Sequence, residues 1–247
     1  MSVQRVAAAI PQLFLGLLSL AIAAVWIGHL VTATIHDARH ARDTLVITGS
    51  ARKPISSNLV EWSLSVDGSS PKPVVAARQL RRESAEVLAF LRGAGIPSGA
   101  IQPQVVQSDT EVTKIDKHRT KTTYHVSQGF EVTTGKIDLV VGAASRLGSL
   151  LERGIDVQAD PLAFISTNLE QAKLDALEAA TAEAHRRAEI LVHGLGGKLG
   201  PMRASSLGVY QITPRNSTDV SNYGVNDTSS RLKDVTAVVS ATFAVQR

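Results

Sequence analysis

Leu59-Val-Glu-Trp-Ser-Leu-Ser-Val-Asp67 alternates without a break. Val60, Trp62, Leu64 and Val66 point one way, and Glu61, Ser63, Ser65 and Asp67 the other, which predicts a strand with one buried face. Gly68-Ser-Ser-Pro-Lys-Pro73 is a turn, and beyond it the period changes. Between residues 74 and 92, Ala77, Leu80, Ser84, Val87, Leu88 and Leu91 recur at three-and-four spacing. Arg78, Arg81, Arg82, Glu83 and Glu86 lie mostly off that stripe, so the segment reads as an amphipathic helix stopped by Gly93 and Gly95. Residues 101–113 read as a strand. A second alternation follows, with Tyr124, Val126, Gln128, Phe130 and Val132 on one side, and Gln128 marks where the strand leaves the core. Residues 136–152 read as a helix with Ile137, Val140, Val141, Ala144, Leu147 and Leu151 inward, and residues 155–167 as strand interrupted at Pro161. The order is strand, helix, strand, strand, helix, strand, the split βαβ pattern of ferredoxin-like sandwiches.

Further along the chain, Leu169, Ala172, Ala176, Ala180, Ala184, Ala188 and Leu191 make a stripe dominated by alanine, the signature of a long helix packed closely on its neighbour. Asn168 and Gln171 fit a capping box, and Glu183 can pair with Arg187 across one turn. The run His193-Gly-Leu-Gly-Gly-Lys-Leu-Gly200 ends the helix. It is not a phosphate loop, because Leu199 follows the lysine and the helix comes first. Residues 204–213 read as a strand, residues 214–231 as a long exposed loop, and residues 235–245 as a closing strand. In that last strand Val235, Ala237, Val239, Ala241, Phe243 and Val245 alternate with Thr236, Val238, Ser240, Thr242 and Ala244. Both faces are weakly polar, so the strand is either central in its sheet or covered by another subunit. Upstream, residues 44–49 read as a short first strand ending at Gly49.

Before this domain lies Leu13-Phe-Leu-Gly-Leu-Leu-Ser-Leu-Ala-Ile-Ala-Ala-Val-Trp-Ile-Gly-His-Leu-Val-Thr-Ala-Thr-Ile35, with no Asp, Glu, Lys or Arg. As a helix it would be roughly 35 Å long, enough for a hydrocarbon core of about 30 Å. It is longer than the apolar run of a secretory signal, and no small-residue cleavage site follows it. The sequence therefore divides into a short segment 1–12, a signal-anchor helix 13–35, a linker 36–43 and one domain 44–247. Arg5 before the span, and Arg39 and Arg42 after it, leave the topology undecided by charge. His36 and His40, one turn apart, read as a solvated helix end.

A formal net charge of +4 and a pI near 9.5 permit contact with anionic headgroups but form no dense basic face, so no nucleic-acid partner is expected. There is no cysteine, which excludes disulfides, thiol catalysis and thiolate metal sites. Residues 114–121 carry Lys114, Lys117, Arg119 and Lys121 at the tip of a long hairpin. They offer a cationic surface for an acidic partner or lipid, or simply a solvated turn that discourages edge pairing. Val235, Val238 and Phe243 are the candidate self-association residues. His118, His125, Glu131 and Asp138 fall in no catalytic spacing, and no Gly-x-Ser-x-Gly elbow is present. No catalytic residue, cofactor or metal site is expected. The functional classes left are a self-assembling envelope protein, an enzyme of unrecognised type, and a module that binds a ligand or an anionic surface.

Several stretches together resemble the SIMPL-domain family, which includes the periplasmic immunogenic antigens. They are the early Ile-Thr-Gly-Ser-Ala-Arg52, Leu91-Arg-Gly-Ala-Gly-Ile-Pro97 with Ile101-Gln102, Ala182-Glu-Ala-His-Arg-Arg-Ala-Glu189, Gly197-Lys-Leu-Gly200 and the closing Val-Ser-Ala-Thr-Phe243. The chain differs from that pattern in its long apolar N-terminal run and in Ser56-Ser-Asn58, where relatives often have Pro-Asp. The resemblance implies an α+β SIMPL-type domain, with antiparallel sheets packed by three helices and a ferredoxin-like βαββαβ portion, behind one N-terminal transmembrane helix. It implies no catalytic residues. It further implies a non-enzymatic cell-envelope protein anchored in the inner membrane with its domain in the periplasm. A homo-oligomeric ring- or channel-like scaffold and a link to envelope or oxidative stress belong to the same expectation.

Overall fold

The computed structural model describes residues 43–116 and 118–246. The anchor segment 13–35, the linker up to residue 42 and Lys117 lie outside the described residues. The described chain forms two compact units. One comprises residues 51–178 and 209–237, the other residues 43–50, 179–208 and 238–246. The fold is α+β.

The larger unit is organised by β2 (Leu59–Ser70) and β5 (Thr120–Thr134), paired antiparallel from Val60 opposite Thr134 to Ser70 opposite Tyr124. Short strands flank them: β3 (Ile101–Pro103) and β4 (Gln107–Lys114) on β5, and β6 (Val157–Ala159) and β7 (Ala163–Ile165) on β2. Every pairing is antiparallel, and the order β3-β5-β2-β6 is the one a split βαβ unit requires. Helix α1 (Pro73–Gly93) starts on a proline, whose missing N–H costs nothing in the first turn. The alternation of β2 is realised: Val60, Trp62, Leu64 and Val66 are buried, and they meet Leu80, Val87 and Leu91 of α1 with Phe130 and Val132 of β5. Gly68 is required there, because a Cβ would sit 2.8 Å from the Ala76 carbonyl.

Three expectations are corrected in detail. The strand expected over 101–113 is two strands, whereas the interruption expected at Pro161 is observed between β6 and β7. The second helix breaks into α2 (Ile137–Ser145) and α3 (Gly148–Glu152). At the break, Ser145 Oγ donates back to Val141 O (2.9 Å) and Arg146 Nε to Gly142 O (3.0 Å), the local competition that bends helices. Its buried stripe is therefore Ile137, Val140, Ala143 and Leu150, while Val141 and Leu151 are exposed. In α1 the inward face carries Ala76 and Glu83, and Ala77 is exposed. Glu83 is only 3% exposed. Its Oε1 accepts from Gln79 Nε2 at 3.0 Å, and its buried Oε2 has no hydrogen-bond partner.

The smaller unit is made by four elements that each contribute a portion: β1 (Thr44–Ser56), α4 (Leu169–Gly194), β8 (Lys198–Leu207) and β11 (Leu232–Gln246). The alanine stripe does what its spacing requires, with Ala180, Ala184 and Ala188 at most 1% exposed. Its last buried residue is Val192, and Leu191 is exposed. A Cβ on Gly49 of β1 would lie 2.3 Å from Ala180 O and 2.5 Å from Ala184 N, so only glycine allows the strand that close to the helix. Ala188 packs with Ala241 and Phe243, and Leu45, Ile47 and Leu199 close the cluster. Glu183 and Arg187 are paired at 2.8 Å as expected.

Strand β11 settles the alternative left by its two weakly polar faces, because it lies inside its sheet, between β1 and the strands β8 and β9 (Gln211–Pro214). The expected strand 204–213 is β8 and β9, both antiparallel to β11. The loop expected over 214–231 includes β10 (Val225–Asn226), parallel to β9.

Candidate functional site

Three places in the described chain carry polar or apolar surface beyond what the cores need. The first is the tip of the β4–β5 hairpin. Every residue of β4 is exposed, and the ladder ends with Lys114 opposite Thr120. Asp116 organises the turn: its carboxylate accepts the His118 N–H (3.0 Å) and Arg119 Nε (2.7 Å). Those bonds, the His118 amide first, hold its carboxyl below the usual aspartate value. Arg119 is thus committed to Asp116, whereas Lys114 and Lys121 stand exposed and form no ion pair among the described residues. Lower on the arm, His125 Nε2 lies 3.2 Å from Glu111 Oε2.

The second place is a groove of about 410 Å³ between α1 and the arm, lined by Leu80, Leu88, Val106 and Val126 with Arg81 at its border. A polar chain crosses it. Ser84 Oγ donates to Gln128 Oε1 (2.8 Å), and Gln128 Nε2 donates to Gln104 O (3.2 Å). Gln128 therefore sits among apolar neighbours because both ends of its amide are satisfied there.

The third place is a buried clamp on the segment after β9. Lys233, 3% exposed, donates from Nζ to Phe164 O (2.6 Å) and to Asp227 O. Burial pushes its ammonium below the usual lysine value, and the Asp227 charge pulls partly back. Burial works against ionising Asp227 as well. Hydrogen bonds from the Ser229 hydroxyl and amide and the Ser230 hydroxyl, with the Lys233 charge, outweigh it and hold the Asp227 carboxyl below its usual value. Gln211 bonds Ser221 twice, donating Nε2 to Ser221 O (2.7 Å) and accepting the Ser221 N–H (3.3 Å). Asp234, also buried, accepts the Asn216 N–H and faces Arg52 at 3.7 Å. The segment expected to be a long exposed loop is fastened at three residues, Asn216, Ser221 and Asp227. Sequence reasoning missed this clamp although a signal existed, since Lys233 shares the inward parity of Val235, Ala237 and Val239.

The candidate residues fall out unevenly. Val235 (0% exposed) and Phe243 (6%) are turned into the chain's own interior, Phe243 edge-on to His185 at 5.8 Å, so neither offers an interface. They are buried because β11 is central in its sheet. Val238 lies on the half-exposed face. The groups weighed for catalysis are engaged separately: His125 with Glu111, Glu131 with Gln104 (3.0 Å), and Asp138 with Arg231 (2.6 Å). Among the described residues no cluster of three His, Asp or Glu side chains could hold a metal ion. Among them, too, no helix is long and apolar enough to cross a membrane.

A sheet ordered as a split βαβ unit and an alanine-faced helix against the closing strand define an α+β domain. Residues 45–243 match the SIMPL family, described as proteins of unknown function (DUF541), and the chain belongs to that family. No curated protein matches the chain. Among solved structures, a hydantoinase/carbamoylase family amidase from Burkholderia ambifaria is similar at 12% identity and TM-score 0.24, over 51% of this chain and 34% of the amidase. The regulatory subunit of aspartate kinase from Thermus thermophilus is similar at 11% identity and TM-score 0.18, over 78% of this chain and 87% of that one. This chain spans about a third of the amidase's length, and neither score defines a shared fold.

Proposed function

We propose that this SIMPL protein is a non-enzymatic, membrane-anchored component of the cell envelope that assembles into a homo-oligomeric, ring- or channel-like scaffold. Its ferredoxin-like portion and neighbouring sheet would serve as the assembling body, and it would act in envelope or oxidative stress. The observation that carries this is the charge-free run over residues 13–35 set directly before a SIMPL domain that begins at residue 45. A run of that length is enough to span a bilayer as a helix, and the resemblance to the family supports a domain outside the cytoplasm. The engagement of His125, Glu131 and Asp138 with separate partners is in keeping with a role that needs no chemistry.

Topology and retention of the anchor are tested together. A reporter active only outside the cytoplasm, fused after Arg247, should be active, and the membrane-extracted chain should retain residue 1 by intact mass. An inactive reporter, or a mature N-terminus between residues 30 and 45, would contradict the proposal. A ligand-binding role is the second reading, and the groove beneath Arg81 favours it. An anionic amphiphile that protects Leu88 and Val126 from hydrogen exchange would give it priority.

A further inference from the structure

The sheet that contains β11 has two long outer strands, and they are treated differently. Strand β8 is blunted. It carries Lys198, Pro201 and Arg203, and its pairing with β11 slips register twice, between Thr242 and Phe243 and between Phe243 and Val245. Proline, charge and irregularity are the devices that stop an edge from recruiting another strand. Strand β1 has such guards only in its second half, at Arg52-Lys-Pro54. Its first half, Thr44-Leu-Val-Ile-Thr-Gly-Ser50, has no charge and no proline. Among the described residues no strand pairs with the side of β1 turned away from β11.

Two bonds fix which backbone groups face outward. Val245 N–H donates to Asp43 O, and at the strand's other end Ser57 N–H donates to Arg231 O, both at 2.8 Å. These lie in one antiparallel register, in which residues 43, 45, 47 and 49 turn their N–H and C=O towards β11. Thr44, Val46, Thr48 and Ser50 therefore turn theirs away. A third contact agrees: Arg187, from α4, donates Nη1 to Thr48 O at 3.2 Å. Val46, within the open stretch, is 63% exposed.

We propose that residues 44–48 pair antiparallel with the same residues of a second copy, about a two-fold axis at Val46. Thr44 then faces Thr48 of the second copy, and Val46 faces its counterpart. This rests on the self-assembly proposed above and names its contact. Three features select a second copy. The stretch is self-complementary, since a two-fold axis at Val46 aligns outward-facing groups with outward-facing groups. The paired stretch stops short of Arg52, Lys53 and Pro54. The chain outside the described residues ends at the strand's own start, and linker residues 36–43 reach at most about 29 Å. Anchored copies are thus concentrated in one plane, with each edge within that reach of its anchor. The Thr48 carbonyl has a second lone pair, so Arg187 need not leave. An isologous contact closes on itself, so an assembly built with it contains an even number of copies.

The chain has no cysteine, so a single introduced thiol reports one contact. Full-length Val46→Cys in native membranes, oxidised mildly, is expected to run mostly at twice the chain mass, because paired residues in such a ladder bring Cα atoms about 5.5 Å apart. Ser205→Cys, exposed on β8, is the control and should stay at single mass. The native mass of the unmodified chain in mild detergent separates the two levels. An oligomeric mass with no Val46→Cys dimer overturns this contact and leaves self-assembly standing. A dimer through Ser205→Cys instead assigns the contact to β8. A monomeric mass removes both.

Discussion

The two units bury their helices by opposite means. Beneath α1 the core is made of large side chains: Trp62, Leu64, Leu91, Phe130 and Leu150 are at most 3% exposed. Beneath α4, Ala180 and Ala184 face Gly49 while Ala188 packs on Ala241 and Phe243, and the strand comes so close at Gly49 that a single added carbon would strike the helix backbone. The first core is stabilised by apolar area removed from water, at about 25 cal/mol per Å². The second removes less area per residue and depends on close approach and dispersion. The difference teaches that the first should be damaged by deletion and the second by addition.

The largest effect should come from Phe130→Ala in the first core, which leaves a cavity and costs about 3–5 kcal/mol in urea unfolding. A cost near zero would mean the sheet and α1 collapse onto the space. Next comes Gly49→Ala in the second core, expected to cost about 1–3 kcal/mol by overpacking. Its effect should be concentrated in hydrogen exchange of residues 44–50, and an unchanged exchange pattern would break the comparison.

The smallest effect sharpens the comparison with a third kind of contact, the polar clamp. Asp227 is held below the ordinary aspartate value in the folded chain, so it adds stability above about pH 3.8 and loses it as pH falls through the folded value. Asp227→Asn should cost about 1 kcal/mol at neutral pH, and the cost should fade as pH drops below 3.8 and through the folded value. Lys233 works the other way. Its lowered value means a cost at neutral pH that is relieved as pH rises towards 10.5. Stability that fell with pH in that alkaline window for the wild type, but not for Lys233→Met, would contradict the clamp as described.

Much of this was readable in the sequence where burial follows period. The alternation of residues 59–67 and the alanine spacing of α4 both report a face, and both faces are where the pattern puts them. The helix over residues 136–152 was harder, because Ser145 and Arg146 break it through hydrogen bonds to carbonyls four residues back, which no apolar period records. Glu83 entered the buried face of α1 against its charge, and Gln79 one turn earlier is the partner that composition could not signal. Val235 and Phe243 looked like an interface because a two-sided apolar strand is the same in sequence whether its neighbours come from its own chain or another. The edge at Thr44–Ser50 is the converse case, since openness is a property of what does not pair.

The central claim is that the anchored chain assembles with itself. Its most direct test is the native mass of the full-length protein extracted from membranes in mild detergent, corrected for bound detergent. The account predicts an even multiple of the 26.2 kDa chain, stable on dilution. A single 26.2 kDa species at tens of micromolar would contradict it.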